Sequence, residues 1–109
     1  MNIKESGDIT IIELSGYVDA ESSPEIRRKV RNLISEGRIR LVIDLGKVKY
    51  MDSLGLGILI SGLKNVRKEK GDLKLVALHA GVQETFGLTE LIDIFDVFEK
   101  QEDAVKAFH

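Results

Sequence analysis

The sequence predicts a single α/β domain in which helices alternate with strands after an opening β-hairpin. The chain has 109 residues, a length that allows one domain. Short runs of branched apolar residues are followed by segments whose apolar residues recur at helical spacing. A helix that connects two consecutive strands makes those strands parallel and packs on the face of the sheet. No linker or internal repeat interrupts the sequence, so we expect one domain over residues 1–109.

The opening hairpin is predicted from two runs rich in Ile and Thr, residues 2–6 and 9–14, which flank Gly7 and Asp8. Gly7 is expected to adopt the positive φ that a tight hairpin turn requires. Residues 15–19 lack a strand pattern, and we expect them to form a loop that leaves the second strand.

The first helix is predicted from its start signals and its apolar face. Ser22 and Ser23 are candidate caps, Pro24 suits an early helical position, and Glu25 stands three residues after Ser22, as in a capping box. One helical face is apolar, and Gly37 is expected to end the helix. The residues of that face are Ile26, Val30, Leu33 and Ile34.

The second half of the chain continues the alternation. Residues 41–45 form a nearly continuous apolar run, which is typical of a strand buried on both faces. A second helix is expected to follow residue 52, with an apolar face of Leu56, Leu59, Ile60 and Leu63, and to end at Lys70-Gly71. The later elements predicted are a strand at 73–78, a short helix at 82–86 with Leu88 and Leu91 packing after it, a strand at 94–98 and a helix at 101–108.

Composition excludes several classes of protein. The net charge is −2 and no basic stripe is visible, so nucleic-acid binding is not expected. The chain has no cysteine, which excludes disulfides and thiolate metal sites. Apolar runs such as residues 58–60 are too short to insert in a membrane, and the start lacks a signal-peptide pattern, so we expect a cytoplasmic protein.

Enzymatic signatures are also missing. His79 and His109 lack a second ligand at metal spacing, and His79 is interpreted as a structural histidine. No serine lies in a G-x-S-x-G nucleophile elbow. The pair Gly55 and Gly57 resembles a phosphate cradle only superficially, because Ile60 stands where the third glycine would be. We therefore expect no catalytic residue, no metal, no cofactor and no enzymatic activity.

One segment stands out at the start of the second helix: Asp52, Ser53, Leu54, Gly55, Leu56 and Gly57. In one interpretation Ser53 is a plain helix N-cap. However, Leu54 is an apolar residue in the first turn, and each glycine lowers helix stability by about 1 kcal/mol. The glycines would be useful if another protein's backbone or a phosphoryl group had to approach Ser53 closely.

These residues, preceded by Tyr50 and Met51, resemble the phosphorylation motif of bacterial anti-sigma factor antagonists, members of the STAS (sulfate transporter and anti-sigma antagonist) family. Residues 16–19 resemble that family's Gly-x-hydrophobic-Asp segment after the second strand. Residues 42–45 resemble its central strand, and residues 81–91 its third-helix region. The resemblance implies a small mixed sheet, an opening hairpin plus parallel strands, packed with about four helices.

The resemblance further implies partner switching. The unmodified protein would bind an ATP-bound anti-sigma factor that is also a serine kinase, and so release the sigma factor. The kinase would then phosphorylate Ser53 and the complex would dissociate, after which a PP2C-type phosphatase would reset the protein. The family suggests a monomer. Leu54 stands where the family often has a second Ser or Thr, which leaves Ser53 as the only hydroxyl of the motif.

The implied docking surface comprises the motif and Asp19. Asp19 and Asp52 would be its acidic members, with turn and cap roles as the alternative. Leu54 and Leu56 would supply apolar contacts, although Leu56 could belong to the core. A second hypothesis is a non-switching scaffold or a subunit of a signalling or membrane transport complex. In that case Ser53 would be only a cap, and Ser53→Ala would cost about 1 kcal/mol of stability.

Overall fold

The computed structural model describes residues 1–89 and 92–109, and it describes the side chains outside residues 85–92. A five-stranded mixed sheet has the order β1-β2-β3-β4-β5, in which only the β1–β2 pair is antiparallel. The elements are β1 Asn2–Ser6, β2 Ile9–Val18, α1 Ser23–Ser35, β3 Arg40–Met51, α2 Ser53–Lys68, β4 Asp72–Val76, α3 Ala80–Thr89, a 3₁₀ turn at Ile92–Ile94, β5 Asp96–Phe98 and α4 Gln101–Lys106. The predicted fold class is confirmed.

The strands that lead to the site are longer than the sequence predicts. Gly7 has φ +62°, as expected for the hairpin turn. The prediction of a loop at 15–19 is wrong, because β2 continues to Val18, where it pairs with Met51 at the end of β3. Gly16 has φ +72°, and the β2–β3 register shifts between Glu13 and Ser15 and again between Gly16 and Tyr17. These irregularities are β-bulges, which bend a strand without ending it.

Helix α1 begins at Ser23, but the predicted capping box does not form. Ser22 has a helical conformation, φ −88° and ψ −24°, and its side chain makes no cap hydrogen bond. The Ser22 hydroxyl instead donates to the Tyr17 carbonyl oxygen at 2.7 Å and accepts the Asp19 N–H at 3.1 Å. At the other end Gly37, with φ +87°, follows the helix as predicted.

The later elements differ from prediction mainly at their ends. Strand β4 stops at Val76 because Ala77 has φ +60°, a conformation outside the strand region. Helix α3 is longer than residues 82–86, α4 ends at Lys106 rather than 108, and β5 is limited to three residues because Ile94 belongs to the 3₁₀ turn. The predicted packing of Leu88 and Leu91 lies outside the side chains that the structure describes.

The core has two layers around the sheet. Helices α1 and α2 cover one face, where Val18, Leu45, Met51 and Leu59 are among the most deeply buried side chains. On the other face α4 contributes Ala104 to a smaller cluster whose strand members are Ile9, Ile11, Val42 and Val76. In the described part of the chain, no helix is both long and apolar enough to span a bilayer.

Candidate functional site

The site lies at the edge where β2 and β3 end together. Val18 and Met51 are register partners at the ends of these parallel strands, and the next residues are Asp19 and Asp52. The Asp52 N–H donates to the Val18 carbonyl oxygen at 3.1 Å, which ties the start of α2 to the end of β2. The turn after β2 and the first turn of α2 are therefore neighbours, as the resemblance implied.

Asp52, and not Ser53, is the N-cap of α2. Its backbone is extended, φ −96° and ψ −173°, and its Oδ1 accepts the N–H groups of Leu54 at 2.9 Å and Gly55 at 3.2 Å. The interpretation of Ser53 as a cap is wrong. Ser53 is the first residue of the helix, it is exposed, and its hydroxyl makes no hydrogen bond within the described residues.

Asp19 organises the turn between β2 and α1. Its Oδ1 accepts the N–H groups of Glu21 at 3.0 Å and Ser22 at 3.2 Å, and its carbonyl oxygen accepts the Ser23 N–H at 2.8 Å. Such side-chain bonds to the following backbone define an Asx-type turn. Asp19 and Asp52 thus have the turn and cap roles that were the alternative to docking. Both remain half-buried at the edge that carries Ser53.

Two residues of the motif face the core and cannot contact a partner directly. A Cβ on Gly55 would lie 2.7 Å from both Met51 Cγ and Val18 Cγ1, so glycine is required there by internal packing. Leu56 is 2% exposed and belongs to the main core. The expectation that Gly55 and Leu56 form part of the docking surface is therefore corrected.

The other two residues of the motif face solvent. Leu54 is 44% exposed, although it is a large apolar residue. Gly57 is also exposed, and a Cβ added there would meet no atom within 4 Å. Nothing in the described part of the chain requires glycine at position 57. The exposed surface around Ser53 thus consists of a small residue, an apolar residue and two acidic neighbours.

Away from this site, His79 in the connection between β4 and α3 has a structural role. His79 Nε2 lies 2.7 Å from the Val48 carbonyl oxygen, which makes it the donor of a hydrogen bond between the β4–α3 connection and β3. Within residues 1–89 and 92–109, no group of three or more His, Asp or Glu side chains could hold a metal ion.

Comparison with known proteins identifies the family. The STAS domain family model matches residues 1–104. This chain belongs to the STAS domain family. The anti-sigma-B factor antagonist of Bacillus subtilis (strain 168) is 35% identical over 106 residues, which are 97% of this chain and 96% of that protein.

Two solved structures share the fold. An anti-sigma factor antagonist from Mycobacterium paratuberculosis superposes with a TM-score of 0.87 at 25% identity and covers 97% of this chain and 90% of that one. The Bacillus cell fate determinant SpoIIAA in its phosphorylated form gives a TM-score of 0.80 at 18% identity, with 99% of this chain and 98% of that one covered. The second likeness is one of fold alone.

In this STAS domain the hydroxyl of Ser53 is the chemically available group of the site. It lies on the first residue of a helix, where the macrodipole favours negative charge. The two N–H groups that could have bound an anion most directly, those of Leu54 and Gly55, are already taken by Asp52. With these two N–H groups occupied, the first turn of α2 is not arranged to capture a free anion through them.

Proposed function

We propose that this STAS domain is an anti-sigma factor antagonist whose binding is controlled by phosphorylation of Ser53. Its unphosphorylated form binds an anti-sigma factor that is also a serine kinase, and so frees the sigma factor. The relative in Bacillus subtilis, which carries the name anti-sigma-B factor antagonist, supports the class at 35% identity over nearly the whole of both chains. One observation carries the proposed switch: Ser53 offers an exposed hydroxyl that the fold does not use.

Phosphorylation at Ser53 leaves the fold intact. A phosphoserine adds a charge of about −1.5 to −2, which the N-terminus of α2 favours and the neighbouring Asp52 carboxylate opposes. The modification breaks no hydrogen bond of the hydroxyl, since the hydroxyl makes none within the described residues. SpoIIAA in its phosphorylated form has the same fold as this chain, which is consistent with a modification that the fold tolerates.

The effect of the phosphate therefore falls on docking. A kinase that holds ATP presents phosphate groups to the serine it modifies, and the phosphoserine then meets like charge at close range. Screened charges a few ångströms apart contribute roughly 1–4 kcal/mol for each pair. A loss of about 3 kcal/mol is already on the order of a hundredfold in affinity. Asp19 and Asp52 add to the negative charge at this edge.

The remaining parts of the proposal follow the same family pattern. The exposed docking surface comprises Asp19, Asp52, Ser53, Leu54 and Gly57. The chain acts as a cytoplasmic monomer without catalytic activity, the domain spans residues 1–109, and a PP2C-type phosphatase removes the phosphate. It binds no nucleic acid and does not insert in a membrane.

The test combines modification and binding. Mass spectrometry of the tryptic peptide 50–64 from native cells, under several growth and stress conditions, should find one phosphate that fragmentation localises to Ser53. The purified anti-sigma factor kinase should bind wild type and Ser53→Ala, and should bind Ser53→Asp at least about a hundredfold more weakly. Ser61 is the matched control, because it is an exposed serine of the same helix and the same peptide.

The outcomes separate the alternatives. Ser61→Asp should bind like wild type. Equal binding of wild type and Ser53→Asp would contradict the electrostatic switch. Absence of phosphate under every condition, together with persistent association with scaffold or membrane transport subunits, would replace the switch with the non-switching hypothesis.

A further inference from the structure

The only two tyrosines of the chain form an exposed aromatic pair beside the Ser53 edge, which is the end of the sheet that carries Asp19, Asp52 and Ser53. Tyr17 in β2 and Tyr50 in β3 are direct cross-strand partners, and their ring centroids lie 6.3 Å apart. Tyr17 is 61% exposed and Tyr50 is 48% exposed. Among the side chains that the structure describes, they are the only aromatic members of the exposed large hydrophobic set.

The fold leaves this pair uncovered. Val18 and Met51, the next residue on each strand, point into the α2 layer against Gly55, so the two rings point to the opposite face of the sheet. Helix α4 covers that face only over the earlier parts of the strands, where Ala104 packs with a cluster that includes Ile11 and Val42. Neither tyrosine hydroxyl makes a hydrogen bond within residues that the structure describes.

Two unpaired cations lie on the same part of the sheet. Lys47 and Lys49 belong to the last third of β3, both are exposed, and neither forms an ion pair in the described part of the chain. The nearest acidic side chain along β3 is Asp44, which is held by a 2.6 Å hydrogen bond from Gln101 Nε2. Lys47 and Lys49 therefore place positive charge on the β3 side of the rings, while the acidic Asp19 and Asp52 lie beyond the strand ends, two residues after each tyrosine.

This surface is continuous with the Ser53 edge. Tyr50 precedes Ser53 by three residues, and Tyr17 precedes Asp19 by two. We propose that the Tyr17–Tyr50 pair is the aromatic anchor by which the anti-sigma factor docks, through an apolar patch of the partner flanked by carboxylates that face Lys47 and Lys49. This inference rests on the proposed function and names the chemistry of the partner's surface.

The physical argument is that tyrosine is suited to this role. A tyrosine ring buries a large area when it is covered, and it loses few rotatable bonds in doing so, which is why tyrosine is enriched among the residues that dominate binding energy. The pair carries no phosphate, so its contribution to affinity is present in both states of Ser53. Phosphorylation then lowers the affinity of a complex whose favourable contacts come from the aromatic pair and the lysines.

The composition of the chain provides a direct probe. With two tyrosines and no tryptophan, a sample labelled with 3-fluorotyrosine has two ¹⁹F NMR resonances, and both report on this pair. Addition of the purified anti-sigma factor kinase should shift or broaden both resonances. Tyr17→Ala and Tyr50→Ala should each raise the Kd by about tenfold or more, and the Phe variants, which keep the rings, should bind nearly as wild type does.

The control and the contrary outcomes are separate from those of the proposed function. Val97 is a 40% exposed residue of β5, the edge strand that β4 separates from β3. Val97→Ala should leave the Kd unchanged. The labelled wild-type protein tests the contact without any substitution, so a poorly folded variant does not decide the result. If wild type binds and Ser53→Asp does not, but both resonances stay unperturbed and the Ala variants bind normally, the inference is overturned and the switch stands. If wild type does not bind the kinase at all, both fall together.

Discussion

Gly55 and Gly57 lie two residues apart in α2, and replacement of each by alanine is expected to change stability in opposite directions. Glycine within a helix lowers stability by about 1 kcal/mol relative to alanine. At Gly57 the added Cβ meets no atom within 4 Å, so Gly57→Ala should raise the free energy of unfolding by about 0.5–1 kcal/mol. Gly57 thus has a stability cost that no internal contact of the described chain offsets.

At Gly55 the same change meets packed neighbours. The Cβ would lie 2.7 Å from Val18 Cγ1 and from Met51 Cγ, and Val18 is a stiff β-branched residue in the core. Overpacking of this kind costs about 1–3 kcal/mol, and the gain in helix propensity returns about 1 kcal/mol. Gly55→Ala should therefore lower the free energy of unfolding by about 1 kcal/mol.

Urea denaturation followed by far-UV circular dichroism measures both variants under the same conditions. For a domain of this size, a change of 1 kcal/mol moves the melting temperature by about 4 °C, so thermal melts should show the same order of stability. If Gly55→Ala is as stable as Gly57→Ala, the packing explanation for Gly55 is refuted. If Gly57 leaves room for the partner, Gly57→Ala should also bind the kinase more weakly although it unfolds at higher urea.

The other predictions concern the cap and a buried cation. Asp52→Ala should lower the free energy of unfolding by about 1 kcal/mol in urea titrations, whereas Ser53→Ala should change it by less than about 0.5 kcal/mol; equal losses would restore the cap role of Ser53. Lys74 is buried and pairs with Asp72 at 3.1 Å and with Asp96 at 2.9 Å. Lys74→Met should therefore lower the free energy of unfolding by about 1–2 kcal/mol at neutral pH. The loss is not larger because Asp96 is exposed, and solvent screens its interaction with Lys74. Burial alone would raise the pKa of Asp72, but the hydrogen bonds from Lys74 and from the Leu73 N–H, with the charges of Lys74 and Arg67, lower it overall. This stabilisation should be present above the usual pKa of an aspartate and disappear as the pH falls through the lowered pKa of Asp72. The free energies of unfolding of wild type and Lys74→Met, measured by urea titration, should therefore converge in acid. A difference that stays constant with pH would contradict the assignment.

The order of the elements could be predicted from the sequence, but the ends of β2 and β3 could not. Ser15 and Gly16 have the composition of a turn, and Gly16 does take a positive φ of +72°. In the sheet the same residues pair with Lys47 and Val48, the extra residue at each register shift lies on β3, and the pairing continues to Val18. A local pattern contains no information about the partner strand, so a turn cannot be distinguished from a strand that pairs with a bulged neighbour.

The candidate site shows the same limit at the scale of one residue. Asp and Ser are both good N-caps, so the motif alone allows α2 to begin after either of them. The hydrogen bond from the Asp52 N–H to the Val18 carbonyl oxygen helps to decide between them, because it keeps Asp52 in register with the end of β2 and leaves Ser53 inside the helix. The sequence does not reveal the exposed tyrosine pair, for a similar reason. Its exposure depends on where α4 ends on the far face of the sheet, which no local pattern reveals.

The division of roles between Asp52 and Ser53 determines whether the proposed phosphorylation would change the stability of α2 or only the binding of the partner. If Ser53 were the cap, a phosphate on its hydroxyl would remove the hydrogen bonds that begin α2, and the modification would change the stability of the helix as well as binding. Asp52 supplies those bonds instead, through Oδ1 to Leu54 and Gly55, whether or not Ser53 is modified. The helix would therefore keep its first turn in both states of the proposed switch. Such a switch would alternate between partners without partial unfolding, since nearly all the difference between its two states would lie in the surface that the partner contacts.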